Sequence, residues 1–282
     1  MNDDGLVFLR EKDEVFKLDQ LLGSEAEILN KGMFGCTYMA KLEGKGDLVV
    51  KRLKGPCNFE RDEIEELGKL VHENLLPLKA YLYSREETLL IYDYLPRGSL
   101  SHVLHSGKGG TSESSSLDWQ ARRNIAYGIA RGIEYLHSRG PGVCHGSLSS
   151  SNVLLTNSLD ACISEFGVAQ LFKNKPEATK GEGVDQKTDV FCFGVVLLEV
   201  VTGETPVQKG EDLAKWVRRL LREKPILSVF DETLLSRRRK DIEEEMFQIL
   251  QLGICCTFEY PKNRPSMAAV VNRIKNICCF KS

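Results

Sequence analysis

The chain has 282 residues, of which 42% are hydrophobic and 28% are charged, a composition typical of a globular protein with one large or two small domains. Its formal net charge of −2 provides no basic surface for nucleic acid or an anionic membrane. Nine cysteines without a CxxC pair favour reduced thiols over a disulfide framework or a zinc site. The longest apolar run, residues 190–198, is far shorter than the ~20 residues that span a bilayer.

The first hundred residues carry the pattern of a β-meander. The predicted strands are residues 26–30, 37–42, 48–53 and 89–92, with a glycine-bearing first hairpin. Between the third and fourth strands, Ile64, Leu67 and Val71 recur at helical spacing, which predicts an amphipathic helix. Residues 93–98 are rich in turn formers and indicate a connector to the second half of the chain.

Beyond residue 98 the predicted elements are mostly helical. Asp118 is suited to cap a helix whose apolar residues recur at positions 125, 129, 133 and 136. The apolar run after Asp189 predicts a buried central helix. Further helices are predicted over residues 211–222, 241–256 and 266–277, and a polar loop over residues 107–116.

Residues 143–155 carry the most informative motif in the chain. They read VCHGSLSSSNVLL and resemble the catalytic loop of protein kinases, H-R-D-L-x-x-x-N, with His145 and Asn152 at the spacing of that family. The resemblance covers roughly residues 18–279, with the motifs in the order of the family. Within that family, the sequences of residues 75–81, 92–100 and 189–199 most resemble those of plant receptor-like kinases of the leucine-rich-repeat type.

This resemblance implies an α+β, bilobal protein kinase-like fold with a small β-rich N-lobe and a larger, mainly α-helical C-lobe. The N-lobe and hinge would span residues 18–96, and the C-lobe residues 97–279. Residues 1–17 would be an N-terminal extension, or the remnant of a juxtamembrane linker if the chain is a fragment of a receptor. Residues 280–282 would be a short tail.

The catalytic loop departs from the family at the residues that perform the chemistry. In the family pattern, an aspartate accepts the proton of the substrate hydroxyl, and a nearby lysine adds positive charge beside the transferred phosphoryl group. Ser147 stands in place of the aspartate and Ser149 in place of the lysine. A neutral hydroxyl cannot act as that carboxylate, so both positions are degenerate and no catalytic residue is predicted.

The resemblance also implies a degenerate ATP site. Residues 30–35 read NKGMFG, so Asn30 replaces the first of three glycines that let the backbone approach the phosphates. Lys51 matches the strand lysine that pairs with the phosphates and with a helix glutamate, for which Glu63 is the candidate. Val50 is expected beside the adenine, where it would narrow the pocket. The candidate cofactor-binding residues are Gly32, Gly35, Val50, Lys51, Glu63 and Leu154.

The metal-binding D-F-G motif resembles residues 165–167, which read EFG. Glu165 keeps the charge of the aspartate but adds a methylene, which moves its oxygens from the octahedral positions that Mg²⁺ requires. Asn152 and Glu165 are therefore the candidate metal ligands of a weakened site. We expect that no cofactor is required and that binding of ATP with Mg²⁺ is at most weak.

The segment between this motif and the central helix is unusually short. Residues 175–177 resemble the A-P-E that closes the activation segment, which leaves only residues 168–174 as a bridge. That bridge is about ten residues shorter than in kinases that dock a peptide there. The resemblance further implies an ion pair of Glu177 with Arg264, and Asp189 as the anchor of the loop around residue 145.

The sequence therefore predicts a catalytically inactive receptor-kinase-like domain, a pseudokinase, that signals through protein–protein interaction. The predicted partners are signalling proteins, namely receptor kinases or their substrates, and not nucleic acid. The predicted location is cytoplasmic, including the cytosolic face of the plasma membrane, with no transmembrane segment in this chain. The alternative is a weak or unconventional ATP-dependent serine/threonine kinase in which Lys51, Asn152 and Glu165 still hold Mg-ATP.

Overall fold

A computed structural model describes residues 5–10, 16–54, 60–84, 87–105, 117–172, 184–208, 210–235 and 240–278. These residues form a β-rich N-lobe and a larger helical C-lobe, as the sequence predicts. The predicted polar loop at 107–116 lies outside the described residues. Within the described ranges, no helix is both long enough and apolar enough to cross a bilayer.

The N-lobe is built on one antiparallel sheet of six strands. The strands are β1 (Leu6–Phe8), β2 (Glu25–Lys31), β3 (Gly35–Leu42), β4 (Gly46–Leu53), β5 (Ala80–Tyr83) and β6 (Thr88–Asp93). Their spatial order is β1-β5-β6-β4-β3-β2, so β4 pairs with both β3 and β6. In the turn between β3 and β4, Gly44 and Gly46 adopt φ angles of 72° and 78°, a left-handed conformation that favours glycine.

Both faces of this sheet are covered, because alternate residues of each strand point to opposite faces. On one face, Phe16 and Leu21 pack in an apolar cluster with the strands, and Leu21 lies in helix α1 (Leu18–Leu22). On the other face, Ile64 of helix α2 (Arg61–Gly68) is fully buried in a second cluster. The sheet is therefore sandwiched between these two short helices.

Two features of the N-lobe differ from the sequence-based expectation. Helix α2 ends at Gly68, so Val71 does not extend its apolar face and is 54% exposed. Glycine weakens a helix, and the side chain of Leu9 occupies the space beside Gly68 where a Cβ would lie. Strand β1 is too short for its alternation to predict it, and it pairs with β5 with Val7 opposite Tyr81.

The C-lobe is mostly helical. Its helices are α3 (Leu100–His105), α4 (Trp119–Ser138), α5 (Val168–Leu171), α6 (Gln186–Thr202), α7 (Leu213–Glu223), α8 (Glu232–Leu235), α9 (Lys240–Cys256) and α10 (Met267–Ile277). Two short hairpins pair β7 (Val153–Leu155) with β8 (Ala161–Ile163), and β9 (Val207–Gln208) with β10 (Glu211–Asp212). The helices predicted over 211–222, 241–256 and 266–277 correspond to α7, α9 and α10, with small differences at their ends.

Helix α6 is the centre of the C-lobe and is buried nearly all round, as predicted. Asp185 caps it by accepting a hydrogen bond from Thr188 N at 2.7 Å. Gly203 ends it in a left-handed conformation with a φ of 66°. Helices α4, α7 and α9 pack around it. Since Asp189 in its first turn bonds to the loop at residues 145–146, α6 supports the candidate site directly.

Candidate functional site

A cleft of about 590 Å³ lies between the lobes. It is lined by β2, β3 and β4, by the connector after β6 and by the segment around the catalytic loop. Its apolar lining includes Leu29, Val49, Leu76, Tyr92, Leu95 and Leu154. Its polar lining includes Lys51, Asn152 and Glu165. The cleft therefore brings together four of the predicted site residues, and its volume is typical of a small-molecule site.

Strand β4 presents Val49 and Lys51 to the cleft. Because side chains alternate along a strand, Val50 lies on the opposite face of the sheet, 8% exposed, in a cluster with Ala80 and Ile91. The assignment of Val50 to the base pocket is therefore wrong. Val49, two residues before Lys51, lines the cleft instead, and the alternation of the strand is the signal that identifies it.

The hairpin between β2 and β3 contains the predicted phosphate loop. Gly32 N donates a hydrogen bond to Gly35 O at 2.8 Å, which closes the turn. A Cβ on Gly35 would lie 2.0 Å from the carbonyl oxygen of Arg52, so β3 and β4 can approach only with glycine there. Asn30 lines the cleft, whereas Gly32 and Gly35 do not. In this structure the two glycines shape the hairpin rather than the cleft wall.

The tip of this hairpin packs against the segment that follows the metal motif. Phe34 stacks on Phe172, with ring centroids 5.3 Å apart. Phe172 is buried and lies with Val168 and Leu171 of α5 in the N-lobe apolar cluster that also contains Ile64. The hairpin tip and α5 are therefore parts of one apolar contact.

Lys51 is held by Glu165. Its Nζ donates to Glu165 Oε1 at 2.5 Å, and the lysine side chain is only 4% exposed. The predicted ion pair of Lys51 with Glu63 is not formed. Glu63 lies in the first turn of α2, where its carboxylate accepts a hydrogen bond from Glu60 N at 2.8 Å as part of a capping box. The glutamate expected for the lysine therefore caps a helix instead.

Helix α5 accounts for this arrangement. Its Leu171 shares the N-lobe apolar cluster with Ile64 of α2, and Gly167, which precedes α5, lies against the side chain of Leu67. Glu63 lines a separate groove together with Leu67 and Leu171. Helix α5 therefore lies on the side of α2 that carries its apolar face, with a groove between the two helices, and the first-turn carboxylate of α2 faces that groove and not the cleft.

The backbone at the metal motif is left-handed. Glu165 has a φ of 63° and Gly167 a φ of 72°, and for a non-glycine residue this conformation carries a steric penalty. Tyr92, which lines the cleft next to Leu95, is buried. Burial, and to a lesser degree the Glu165 carboxylate, raise the pKa of the Tyr92 phenol, so it remains neutral. The cleft therefore contains a neutral phenol and a compensated ion pair.

The catalytic loop is held by Asp189, as predicted. Asp189 Oδ2 accepts from His145 N at 2.7 Å, and Oδ1 accepts from Gly146 N at 2.8 Å. His137 Nε2 lies 2.9 Å from the same Oδ2, and Asp189 itself is 1% exposed. We refer to Asp189, His137, His145 and Gly146 as the loop frame. Such charge-assisted bonds fix the loop to the start of α6.

The ring of His145 extends the loop frame toward the metal motif. Burial lowers the pKa of His145, which favours the neutral ring. Its Nδ1 accepts a hydrogen bond from Ser147 N at 3.2 Å, so its Nε2 carries the proton and donates to the carbonyl oxygen of Ser164 at 3.0 Å. The ring thus joins the catalytic loop to the residue before Glu165.

The two degenerate catalytic positions hold neutral hydroxyls. The carbonyl oxygen of Ser147 accepts from Asn152 Nδ2 at 2.9 Å, which preserves the shape of the loop. The Oγ of Ser147 is buried and has no hydrogen-bond partner among the described residues. Ser149 Oγ lies 2.8 Å from Ser151 Oγ. Both positions therefore lack the charge that the resembled pattern carries there.

A second buried carboxylate supports the loop, and sequence reasoning missed it. Glu199 of α6 is almost fully buried, and its Oε2 accepts from Ser150 Oγ at 2.7 Å and lies 3.1 Å from His105 Nε2. The only signal in the sequence is an acidic residue directly after the apolar run 190–198, a position where a charge must find a partner.

The predicted partner of Arg264, Glu177, belongs to residues 173–183, which lie outside the described residues. Arg264 itself is buried. Its Nε donates to the carbonyl oxygen of Phe258 at 2.8 Å, and its Nη1 donates to that of Lys187 at 3.0 Å. Arg264 therefore ties the segment between α9 and α10 to the start of α6.

Comparisons with known proteins agree with this geometry. A family model described as protein tyrosine and serine/threonine kinase matches residues 24–274. The Arabidopsis thaliana protein named probable inactive receptor kinase RLK902 is 45% identical over 293 residues, which cover 96% of this chain and 45% of that protein. The Arabidopsis thaliana protein named probable leucine-rich repeat receptor-like protein kinase At1g68400 is 40% identical over 302 residues, covering 98% and 44%. The chain spans less than half the length of these two relatives.

Two solved structures have the same fold. The pseudokinase domain of BIR2, described as an immune regulator of the RLK/Pelle family, has a TM-score of 0.82 at 30% sequence identity, covering 98% of this chain and 90% of that one. The kinase domain of maize SIRK1, sucrose-induced receptor kinase 1, bound to AMP-PNP has a TM-score of 0.80 at 28% identity, covering 97% and 99%. The similarity therefore extends over nearly the whole chain.

Proposed function

Because the chain belongs to the protein tyrosine and serine/threonine kinase family, we propose that it is a receptor-kinase-like domain that has lost phosphoryl transfer and signals by binding other proteins. Similarity to proteins named inactive receptor kinases supports this proposal. The observation that carries it is Ser147. Its Oγ is buried, without a hydrogen-bond partner in the described part of the chain, inside a loop frame that is otherwise complete.

Kinase catalysis depends on positioning and on stabilisation of charge. Ser147 cannot accept the proton of a substrate hydroxyl as a carboxylate does, and Ser149 adds no positive charge beside a phosphoryl group. Lys51 and Glu165, which would hold the phosphates and the metal, are bonded to each other. Loss of one preorganised group of this kind lowers a rate by about 10²-fold or more, and these losses affect different contributions.

The segment after Gly167 bears on a further contribution to catalysis, the positioning of the peptide substrate. Its described part, α5 with Phe172, is buried in the N-lobe apolar cluster. These five described residues, 168–172, therefore offer no surface on which to align the hydroxyl of a peptide with a phosphate. Since positioning can supply ~7–11 kcal/mol of a reaction barrier, its absence opposes peptide phosphorylation independently of Ser147.

Signalling by binding requires only the fold. The apolar cores of both lobes and the loop frame are continuous through the described residues, so the domain can present a fixed surface without turnover. The proposed partners are signalling proteins, namely receptor kinases or their substrates, met at the cytosolic face of the plasma membrane. Receptor-kinase relatives support this choice of partner.

A phosphate-transfer assay tests the proposal. The purified chain is incubated with radiolabelled ATP, Mg²⁺ or Mn²⁺ and a generic protein substrate, with Lys51→Met as the blank. We expect the wild type, Ser147→Asp and the blank to incorporate the same background of label, because Ser147 is one of several defects. Binding to a receptor-kinase domain, measured in parallel by calorimetry, should be unchanged in Lys51→Met.

The second candidate is a weak ATP-dependent serine/threonine kinase. It is favoured by Lys51, Asn152 and Glu165, which all line one cleft, and by similarity to a kinase domain solved with AMP-PNP. Label that is incorporated by the wild type and disappears in Lys51→Met would establish this candidate and overturn the proposal.

A further inference from the structure

Two large aromatic side chains are exposed on the C-lobe, in the segment between α9 and α10. Phe258 is 39% exposed and Tyr260 is 64% exposed, and residues 258–263 are exposed without interruption. We refer to residues 258–262, which read FEYPK, as the aromatic segment. Tyrosine and other aromatic side chains carry much of the binding energy at protein–protein interfaces. The aromatic segment is therefore a candidate interaction surface.

The backbone of the aromatic segment is fixed by its neighbours. The buried Arg264 donates through Nε to the carbonyl oxygen of Phe258 at 2.8 Å and through Nη2 to that of Glu259 at 3.2 Å. Asn263 N donates to the carbonyl oxygen of Tyr260 at 3.0 Å, which closes a short 3₁₀ turn. A segment that is already ordered loses less conformational entropy on binding than a flexible one. The two aromatic rings are therefore presented to a partner without further ordering of the backbone.

The same chain contains a groove whose floor suits aromatic side chains. The groove has a volume of about 490 Å³ and lies between α2, α5 and the end of α4. We refer to it as the α2–α5 groove. Its apolar floor consists of Leu67, Leu70, Tyr135, Val143 and Leu171. A concave, largely apolar surface of this size can enclose side chains of a partner.

The charged rim of the α2–α5 groove is divided by sign along α2. Glu63 lies in the first turn of α2, and Lys69 lies at its C-terminal end. Because a helix rises 1.5 Å per residue, these two positions are about 9 Å apart along the helix. Arg139 lies over the ring of Tyr135, and Val71 N donates to Tyr135 Oη at 3.2 Å, so Arg139 is near the Lys69 end. One end of the groove is therefore acidic and the other basic.

The aromatic segment carries the complementary charges. Glu259 precedes Tyr260, and Lys262 follows it, three residues from Glu259 and therefore within ~10 Å of it along the backbone. In a groove of another copy, Glu259 would meet the basic end and Lys262 the acidic end, with the aromatic rings over the apolar floor. Lys69 is paired with Glu66, but both side chains are exposed, and exposed ion pairs are weak enough to exchange partners.

We propose that the aromatic segment of one copy of this chain docks in the α2–α5 groove of a second copy. The two surfaces are different patches of the chain, so the contact is heterologous, and a copy that lacks one patch still carries the other. The inference goes beyond the proposed function. It names a second copy as a partner, and it concerns neither the cleft between the lobes nor phosphoryl transfer.

Sedimentation velocity of the purified chain over a series of concentrations tests for self-association. Because the interface is small and partly polar, we expect a Kd on the order of 10⁻⁵ M, so that the average mass rises above that of the monomer. A chain that remains monomeric up to ~10⁻⁴ M overturns the proposal. Since this measurement does not involve labelled phosphate, it can fail while the proposed function stands, and the reverse also holds.

Two double variants, each lacking one of the two surfaces, test the assignment. Phe258→Ser with Tyr260→Ser removes the rings of the aromatic segment, and Lys69→Glu with Arg139→Glu reverses the basic end of the groove. All four side chains are exposed, so both variants should fold. Each variant alone should associate about tenfold more weakly than the wild type or worse. An equimolar mixture should associate more strongly than either variant alone, because each supplies the surface that the other lacks.

The matched control, Lys31→Glu with Lys41→Glu, reverses two exposed charges of β2 and β3 and should associate as the wild type does. Wild-type association in either folded surface variant, a mixture that associates no better than its components, or an equal loss in the control overturns the proposal. If a double variant does not fold, the single change Tyr260→Ser or Lys69→Glu replaces it in the same design.

Discussion

The loop frame and the cleft next to it each contain a carboxylate, but the two carboxylates are bonded in different ways. In the loop frame, Asp189 accepts two backbone N–H groups and lies against a histidine, so its charge is used entirely within the protein. In the catalytic loop, Ser147 contributes no charge, and in the cleft Glu165 is paired with Lys51 rather than open to a ligand. A carboxylate that holds the backbone is needed for folding, whereas one that faces a ligand is needed only for a reaction.

Under the proposed function, this difference explains how the kinase fold can persist without phosphoryl transfer. Stability depends on buried cores and on the loop frame, and both are complete in the described residues. Catalysis depends on a few groups that point into the cleft and contribute little to folding. Substitutions in the two regions should therefore affect different measurements.

The largest effect is expected in the loop frame. Asp189→Asn removes the charge and turns an amide donor toward groups that are themselves donors. Hydrogen bonds to charged groups contribute about 1.5–3 kcal/mol each, so we expect the free energy of unfolding to fall by ~3–5 kcal/mol in urea denaturation. The matched control is Ser147→Ala in the catalytic loop, which should change the free energy of unfolding by less than about 1 kcal/mol, since the buried hydroxyl has no described partner to lose. Equal losses of unfolding free energy in Asp189→Asn and Ser147→Ala would contradict the proposed difference between the two regions.

A smaller effect is expected in the glycine hairpin, where shape and ligand contact can be separated. In Gly35→Ala the new Cβ would lie 2.0 Å from the carbonyl oxygen of Arg52, so β3 and β4 must move apart. We expect a loss of about 1–3 kcal/mol in the free energy of unfolding. Gly32→Ala is the control, because its nearest neighbour is 3.7 Å away and it should be tolerated. Similar denaturation midpoints for both variants would refute a structural role for Gly35.

The smallest expected effect is a pH dependence of stability. Burial lowers the pKa of His145 from its ordinary 6.5, and burial also lowers that of the partly buried His72. Below about pH 6.5 the unfolded chain therefore binds more protons than the folded chain, so this stability is present above that pH and is lost as the pH falls. The urea midpoint should decrease between about pH 7 and about pH 5, and decrease less in His72→Gln. A midpoint that rises on acidification would contradict a neutral, buried His145.

Local patterns in the sequence predicted the parts of this molecule that depend on local physics. Strand alternation predicted four of the six described N-lobe strands, all but β1 and β5, and the apolar run after Asp189 predicted the central helix. The kinase resemblance placed Lys51, Asn152, Leu154 and Glu165, and the structure brings all four to one cleft. These features can be predicted without knowing what they pack against, because the periodicity or the motif spacing is sufficient to identify them.

The errors concern contacts that depend on packing between elements. The Val50 error is the exception, because Lys51 faces the cleft and the alternation of β4 is enough to place Val49, and not Val50, on the same face. The partner of Lys51 depends on where α5 packs, and nothing near Glu63 in the sequence shows that Leu171 lies against the same helix. Such contacts between distant residues are set by the assembled core.

The most direct test of this account is a chemically repaired cleft. The variant Ser147→Asp, Ser149→Lys, Glu165→Asp restores the base, the cation and the metal ligand of the kinase pattern. The account predicts that it phosphorylates peptides no better than the Lys51→Met blank with radiolabelled ATP, even where ATP binding improves. The reason is that α5 and Phe172, the described part of the segment after Gly167, remain buried and cannot align a peptide. Robust peptide phosphorylation by the repaired variant would contradict it, since the chemistry would then be missing at those three positions alone.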